Sequence, residues 1–282
     1  PIKFGKQEFF FKMENLNPTG SFKARGAKTM ISILKNLGIK HIIEDSSGNA
    51  ASAIAAYAAA ANMKCTAYVP ENIAEGKLKQ IETFGAQIRL VIGNRDTAAK
   101  TAQKEATKSK TYYASHVYNP LFFEGMKAMA YEIYHQLGNQ VPDYIFMPVG
   151  NGTMLLGLYY GFEEIGRLPH FVPVQSKACA PLYEAFHKLP AAPKGRTIAE
   201  AIRIETPKRL EEMLMAVKNS RGDVVAVDDE DILSAKELLG HRGVYVETTA
   251  AAALAGAIKV FKQGKPDNYR VVIPITGSGM KG

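Results

Sequence analysis

Only two cysteines, Cys65 and Cys179, occur among the 282 residues. A multi-bridge disulfide framework is therefore excluded, and the Cys/His spacings that hold zinc are missing, so no metal is expected. Two reduced thiols suit a cytoplasmic protein. Long apolar runs are also lacking. The longest, Ala50 to Ala61, is interrupted by Ser52; a spanning helix needs roughly 20 apolar residues, so no membrane partner is expected. Pro1–Phe11 mixes basic and aromatic side chains without the apolar core of a secretory signal. The sequence starts at Pro1 rather than Met, so its start is expected to have been processed or left out. There is no low-complexity tract and no internal repeat beyond a general richness in alanine.

Hydrophobic residues make up 46% and charged residues 22%, which places the chain with globular proteins and excludes a disordered or collagen-like one. At 282 residues it forms one large domain or two joined ones. The net charge is +8 and the pI about 9.3. The Lys and Arg residues are scattered through polar helical segments such as Lys100–Lys110. That pattern is a solvated basic surface or a field favouring small anionic ligands. With no recognised nucleic-acid motif, no nucleic-acid partner is expected.

Apolar β-branched runs alternate with helical patterns. Strands are expected at Glu8–Lys12, His41–Glu44, Cys65–Val69, Gln87–Ile92, Tyr144–Val149, Val172–Gln175, Val224–Val227 and Arg270–Ile275. Helices are expected at Phe22–Asn36, Ala50–Ala61, Ala74–Phe84, Thr97–Ser109, Phe123–Leu137, Met154–Ile165, Asp231–Leu238 and Thr249–Lys262. This alternation implies an α/β fold with mostly parallel sheets whose strands are buried on both faces. Ligands of such folds sit at the carboxyl ends of the strands, so the strand-to-helix turns carry the functional signal.

Three turns stand out. Asp45-Ser46-Ser47-Gly48-Asn49 precedes an Ala-rich helix. It is either a capped helix start or an anion site for a carboxylate, held by backbone N–H groups and a Ser46 or Ser47 hydroxyl. Gly150-Asn151-Gly152-Thr153 links a strand to an apolar helix. Its two glycines admit a ligand close to the backbone, and a phosphate is the natural occupant. Leu155 breaks the dinucleotide spacing and no Gly-Lys-Ser/Thr follows, so a cofactor with one phosphate is favoured over a dinucleotide or triphosphate. Asn15–Gly20 is turn chemistry, and the helix after it carries Lys23 in its first turn. The dipole there opposes a cation and favours the neutral amine, which suits a Schiff-base nucleophile; the alternative is an ordinary surface lysine. Gly277–Gly282 has the Gly-x-Gly-x-x-Gly form, but no helix follows within the chain, and a dinucleotide is rejected. Thr276 and Ser278 lie just beyond the last strand, where hydroxyls can face a ligand.

Together these segments resemble a known family. Glu14-Asn15-Leu16-Asn17-Pro18-Thr19-Gly20-Ser21-Phe22-Lys23-Ala24-Arg25-Gly26 resembles the lysine motif of the tryptophan synthase β-like pyridoxal-phosphate enzymes (fold type II). Ser46-Ser47-Gly48-Asn49 resembles their substrate-carboxylate loop, and Gly150-Asn151-Gly152-Thr153 their phosphate cup. The resemblance spans nearly the whole chain and implies two three-layer α/β/α open-sheet domains. The large one would hold residues 1–37 and 131–282, and a small mobile one residues 38–130. It also implies pyridoxal 5'-phosphate as cofactor, an amino-acid substrate, and a homodimer. By the same resemblance Lys23 is the Schiff-base lysine and later the base that takes the substrate Cα proton. Asn49 meets the pyridine 3-hydroxyl, and Gly150, Asn151, Gly152 and Thr153 hold the phosphate. Ser46, Ser47 and Gly48 bind the substrate carboxylate, and Thr276 meets the ring nitrogen.

Within the family the segments most resemble those of the threonine synthases, as do Thr197–Ile204 and Thr276–Lys281. The implied reaction turns O-phosphohomoserine and water into threonine and phosphate. The chain departs from that pattern at Ala24, where an Asp is usual, and at Phe122, where an Arg contacting substrate phosphate is expected. His116-Val117 replaces Asn-Ser. Losing the Arg removes a bidentate, charge-assisted contact, for which Lys77, Arg203 or His116 are the compensating candidates. The chain is short for a threonine synthase, so terminal elements are expected to be absent. A threonine/serine dehydratase forming a 2-oxo acid and ammonia is the alternative, and a non-catalytic ligand-binding module the alternative of another class.

Four further features read as structural. Asp228–Asp231 is an acidic helix start rather than a divalent-ion site. Cys179 is a small buried residue, and His116 taken alone is a packed loop histidine. The Met and aromatic residues of Phe122–Tyr134 recur at helical spacing and read as core.

Overall fold

The computed structural model describes residues 2–4, 7–71, 75–262 and 268–281, with the side chains of 2, 4 and 75–77 excepted. In chain order the strands are β1 (Ile2–Phe4), β2 (Gln7–Lys12), β3 (His41–Glu44), β4 (Lys64–Pro70), β5 (Gln87–Val91), β6 (Tyr112–Tyr113), β7 (Tyr144–Pro148), β8 (His170–Ser176), β9 (Val225–Val227) and β10 (Val271–Pro274). The helices are α1 (Lys23–Asn36), α2 (Asn49–Ala60), α3 (Glu75–Thr83), α4 (Arg95–Ser109), α5 (Pro120–Gln136), α6 (Thr153–Ile165), α7 (Pro181–Phe186), α8 (Leu210–Asn219), α9 (Asp229–Gly240) and α10 (Thr248–Lys262). The expected α/β alternation holds. Among the described residues no helix is long and apolar enough to cross a membrane.

The chain divides into two compact units. The larger comprises Pro1–Asn15 and Met126–Met280, the smaller Leu16–Gly125 with Lys281–Gly282. Residues 16–37, grouped with the larger domain in the sequence reading, go with the smaller unit by compactness, because α1 packs along α2.

The larger unit holds a sheet in the order β1-β2-β10-β7-β8-β9, parallel except for the β1–β2 hairpin. Strands β7, β8 and β10 are buried at nearly every residue, so helices cover both faces and alternation is lost. The Ala-rich α10 lies across β7, β8, β9 and β10. Gly256 lets it approach Val174, where a Cβ would overlap the valine methyls. Helix α6 is buried almost all round, as an apolar helix must be.

The smaller unit has a fully parallel sheet, β5-β4-β3-β6. Helix α4 buries Ala98, Ala102 and Ala106 and packs on β3, β4 and β5. Along α5, Phe122 and Phe123 of this unit and Met126, Met129, Ala130 and Ile133 of the larger one are all buried, as their spacing predicts. The acidic turn Asp228–Asp231 opens α9, with Asp228 N donating to Asp231 Oδ2 at 3.3 Å, and Cys179 is a buried free thiol. Elements β1, β6, α7 and α8 are absent from the sequence reading. The first three span two to six residues and carry too little pattern, whereas α8 buries Met213, Leu214, Ala216 and Val217 on one face, a helical period that was there to be read.

Candidate active site

In the larger unit the glycine turn leaves the carboxyl end of β7 and opens α6. Gly152 has φ of +80°, and a Cβ there would strike the Met213 thioether. A Cβ on Gly150 would come 2.9 Å from Ile204 Cγ1 and 3.3 Å from the Ala201 carbonyl oxygen. Both positions thus need glycine for the chain's own packing, and the Thr197–Ile204 segment is what packs against Gly150. No side chain caps α6 at Gly152, so the positive end of its dipole faces outward from the turn. The Asn151 amide oxygen accepts from Lys208 N at 3.4 Å.

Thr276 follows β10, the strand beside β7. It is 1% exposed, and its Oγ1 has no hydrogen-bond partner. An orphaned buried hydroxyl costs about 1–3 kcal/mol, which a ligand atom facing it would recover. A glycine turn opening an uncapped helix and an unsatisfied hydroxyl at the ends of neighbouring parallel strands fit a cofactor with a phosphate at one end and a ring nitrogen at the other. Arg203, one of the candidates to replace a missing cation, is exposed in this unit.

In the smaller unit Lys23 is the first residue of α1, where Phe22 offers no side-chain cap. Its Nζ lies 4.7 Å from the Phe22 ring centroid and 5.8 Å from that of Phe122. The hydroxyls of Thr19 and Ser21, just before it, are buried without partners. The loop at Ser46–Asn49 opens α2, and the expected side-chain cap is not formed. Gly48 is the N-cap and no side chain caps it; Ser46 Oγ instead accepts from Gly48 N at 3.3 Å. Asn49 is held by an unforeseen partner, since Lys281 Nζ donates to its Oδ1 at 2.8 Å and to the Thr19 carbonyl at 2.6 Å. With its oxygen occupied, the Asn49 amide is oriented as a donor. The Lys77 side chain and Gly282 lie outside the described residues.

From sequence Glu44 carries no role, Asp45 belongs only to the turn before α2, and His116 reads as a packed loop residue or a replacement for the missing cation. His116 is buried, and its Nδ1 is hydrogen-bonded to Glu44 Oε1 at 2.9 Å. Glu44 is fully buried. Burial first, then the neighbouring Asp45, pushes its carboxyl well above the usual range, against the opposing charge of Lys23. Burial also raises Asp45, opposed by Arg95 and by a hydrogen bond from Tyr113. His116 is pushed well below the usual imidazole value, by burial first and then by Lys23 and Arg95. Burial thus favours the uncharged form of both partners. Phe122, where the resemblance places an Arg, is fully buried; it meets the His116 ring edge-on at 6.0 Å between centroids and lies against Gly26. The signal that could have found Glu44 is a charged residue ending an otherwise apolar parallel strand.

The strand-end turn and hydroxyl of the larger unit suit a small phosphorylated cofactor. The sequence matches the family described as pyridoxal-phosphate dependent enzymes over residues 3–277, and the chain belongs to that family. It is 37% identical over 292 aligned residues to a threonine synthase of Methanocaldococcus jannaschii, covering 99% of this chain and 72% of that protein. Its fold superposes on the T.th. threonine deaminase with a TM-score of 0.84 at 25% identity, covering 96% of this chain and 87% of that one. It superposes on maize serine racemase with a TM-score of 0.86 at 21% identity, covering 97% and 84%. The chain is a pyridoxal-phosphate-dependent lyase of fold type II.

Proposed function

We propose that the chain is a threonine synthase-like enzyme converting O-phosphohomoserine and water to threonine and phosphate, acting as a cytoplasmic homodimer. The observation that carries this reading is the order of Lys23, the 46–49 loop, the 150–153 turn and Thr276 along a chain 37% identical to a threonine synthase over almost its full length. When bound, pyridoxal phosphate draws off the electron pair left at the substrate Cα. Lys23 Nζ would hold the cofactor through its aldehyde carbon, and its amine would accept the substrate Cα proton. The backbone N–H groups at Gly150–Thr153 bind the cofactor phosphate, with Asn151 shaping the turn. Asn49 donates to the ring hydroxyl. Thr276 meets the ring nitrogen with a neutral hydroxyl, which leaves that nitrogen unprotonated and favours elimination and replacement over transamination. Ser46, Ser47 and Gly48 hold the substrate carboxylate through N–H and O–H donors.

A second reading, a threonine or serine dehydratase, is favoured by one observation. Near Lys23 the chain buries Phe122 in place of a cation and places the carboxyls of Glu44 and Asp45, surroundings that suit a hydroxyl leaving group better than a phosphate dianion. The test is direct. Protein given excess cofactor, reduced with borohydride and mapped by mass should carry the pyridoxyl group on Lys23, and Lys23→Ala should abolish turnover. Phosphate release from O-phosphohomoserine supports the first reading, and 2-oxo acid from threonine or serine the second. No absorbance change on adding cofactor would sink both in favour of a non-catalytic binding module.

A further inference from the structure

We propose that Glu44, Asp45 and His116 form a binding site for one divalent first-row cation of the zinc or cobalt type. Strand pairing builds the site. Glu44 ends β3 and Asp45 follows it, while His116 follows β6, which runs parallel to β3 with Ile42 opposite Tyr112 and Ile43 opposite Tyr113. The Ala114 N–H continues the ladder to the Ile43 carbonyl at 2.7 Å, which brings the two chain ends together at the carboxyl edge of the sheet.

One donor atom from each of the three residues lies within 4.8 Å of the other two. Nitrogen and oxygen ligands about 2.0–2.2 Å from a metal sit about 3 Å apart when adjacent and at most about 4.4 Å apart. The 2.9 Å between His116 Nδ1 and Glu44 Oε1 already matches an adjacent pair. The 4.8 Å limit exceeds the separation of two ligands lying trans across a metal by a few tenths of an ångström.

A second, independent observation points to a cation. Glu44 Oε2 and Asp45 Oδ1 are both buried without a hydrogen-bond partner, in a residue fully buried in the case of Glu44. Orphaned carboxyl oxygens in the interior are costly, and a single cation satisfies both. Tyr113 hydrogen-bonds the Asp45 carboxyl and so fixes its orientation, as an outer partner does in metal sites. The imidazole nitrogen turns the preference from magnesium or calcium toward zinc or cobalt. Lys23 and Arg95 lie within electrostatic reach, and their charges oppose a bound cation.

The cofactor-loaded protein, freed of metal with chelator, is titrated with Co2+ and with Zn2+ by calorimetry and visible absorption. The expected result is one equivalent of Co2+ bound with a ligand-field band, displaced by Zn2+, and affinity at least tenfold lower in both His116→Gln and Glu44→Gln, with the cofactor band retained. No uptake at millimolar Co2+, or equal uptake by both variants, overturns the proposal. Should the variants fail to fold, X-ray absorption on the Co2+-loaded natural chain decides: a shell with one imidazole and carboxylate oxygens supports the site, and an all-oxygen shell overturns it.

Discussion

Lys281 Nζ lies 2.8 Å from the amide oxygen of Asn49, a residue 232 positions earlier in the chain, and 2.6 Å from the Thr19 carbonyl. One ammonium thereby ties the start of α2 to the loop that leads into α1. A charge-assisted hydrogen bond contributes about 1.5–3 kcal/mol, part of which solvent screening removes at this half-buried position. Lys281→Met should therefore weaken cofactor binding roughly tenfold by freeing the Asn49 amide to turn. Titrating cofactor-free protein with pyridoxal phosphate and following its absorbance measures this; an unchanged affinity would show that Asn49 needs no such support.

Thr276→Val should act in opposite directions on the two forms of the protein. The Thr276 hydroxyl is buried without a protein partner, so in cofactor-free protein a methyl of the same shape should remove a desolvation penalty of about 1–3 kcal/mol. The melting temperature should hold or rise. Cofactor affinity should fall if, as proposed, this hydroxyl faces the ring nitrogen. A drop in the melting temperature of the cofactor-free variant would mean that the hydroxyl already has a partner.

The α/β alternation was legible because buried parallel strands such as β7, β8 and β10 read as apolar runs and the helices between them repeat at helical spacing. The glycine turn at 150–153 was legible because two glycines between an apolar strand and an apolar helix have few structural uses. The Glu44–His116 pair was not: the residues are 72 positions apart, joined only by a two-residue strand, β6, that carries no periodicity of its own. The Lys281–Asn49 contact is longer still and involves no pattern. The missing cap on α2 was misjudged for another reason: Ser46 spends its hydroxyl inside the loop, on the Gly48 N–H, before it can reach the helix.

Gly152→Ala tests whether the cup is built by the chain or by its ligand. At φ of +80° a side chain costs about 1–2 kcal/mol in backbone strain, and the Cβ also overlaps the Met213 thioether. The variant should unfold at lower urea and bind cofactor more weakly. Combining it with Met213→Ala should recover the overlap but not the backbone strain, nor the cavity that the methionine leaves, so that the double variant falls short of additivity. Additive losses would mean that the methionine and the glycine do not meet.

Cys65 gives a prediction in pH. It is 5% exposed on β4, and burial first, then the nearby Glu44, pushes its thiol up to about 12. At pH 8 its thiolate fraction is roughly a thousandfold below that of a free cysteine, so a thiol reagent should label it only after denaturation. The sign of the stability effect follows. The folded value is raised above the unfolded one, so the contribution is fully present below pH ~9 and is lost as pH rises toward about 12. At pH 10 the unfolded chain gains about 1–2 kcal/mol by ionising this thiol. Cys65→Ala removes that term at a cost of about 1 kcal/mol for the small cavity. In urea titrations the variant should be less stable at pH 7.5 and should lose less between pH 7.5 and 10 than the natural chain. Equal losses over that interval would place the Cys65 thiol in contact with solvent.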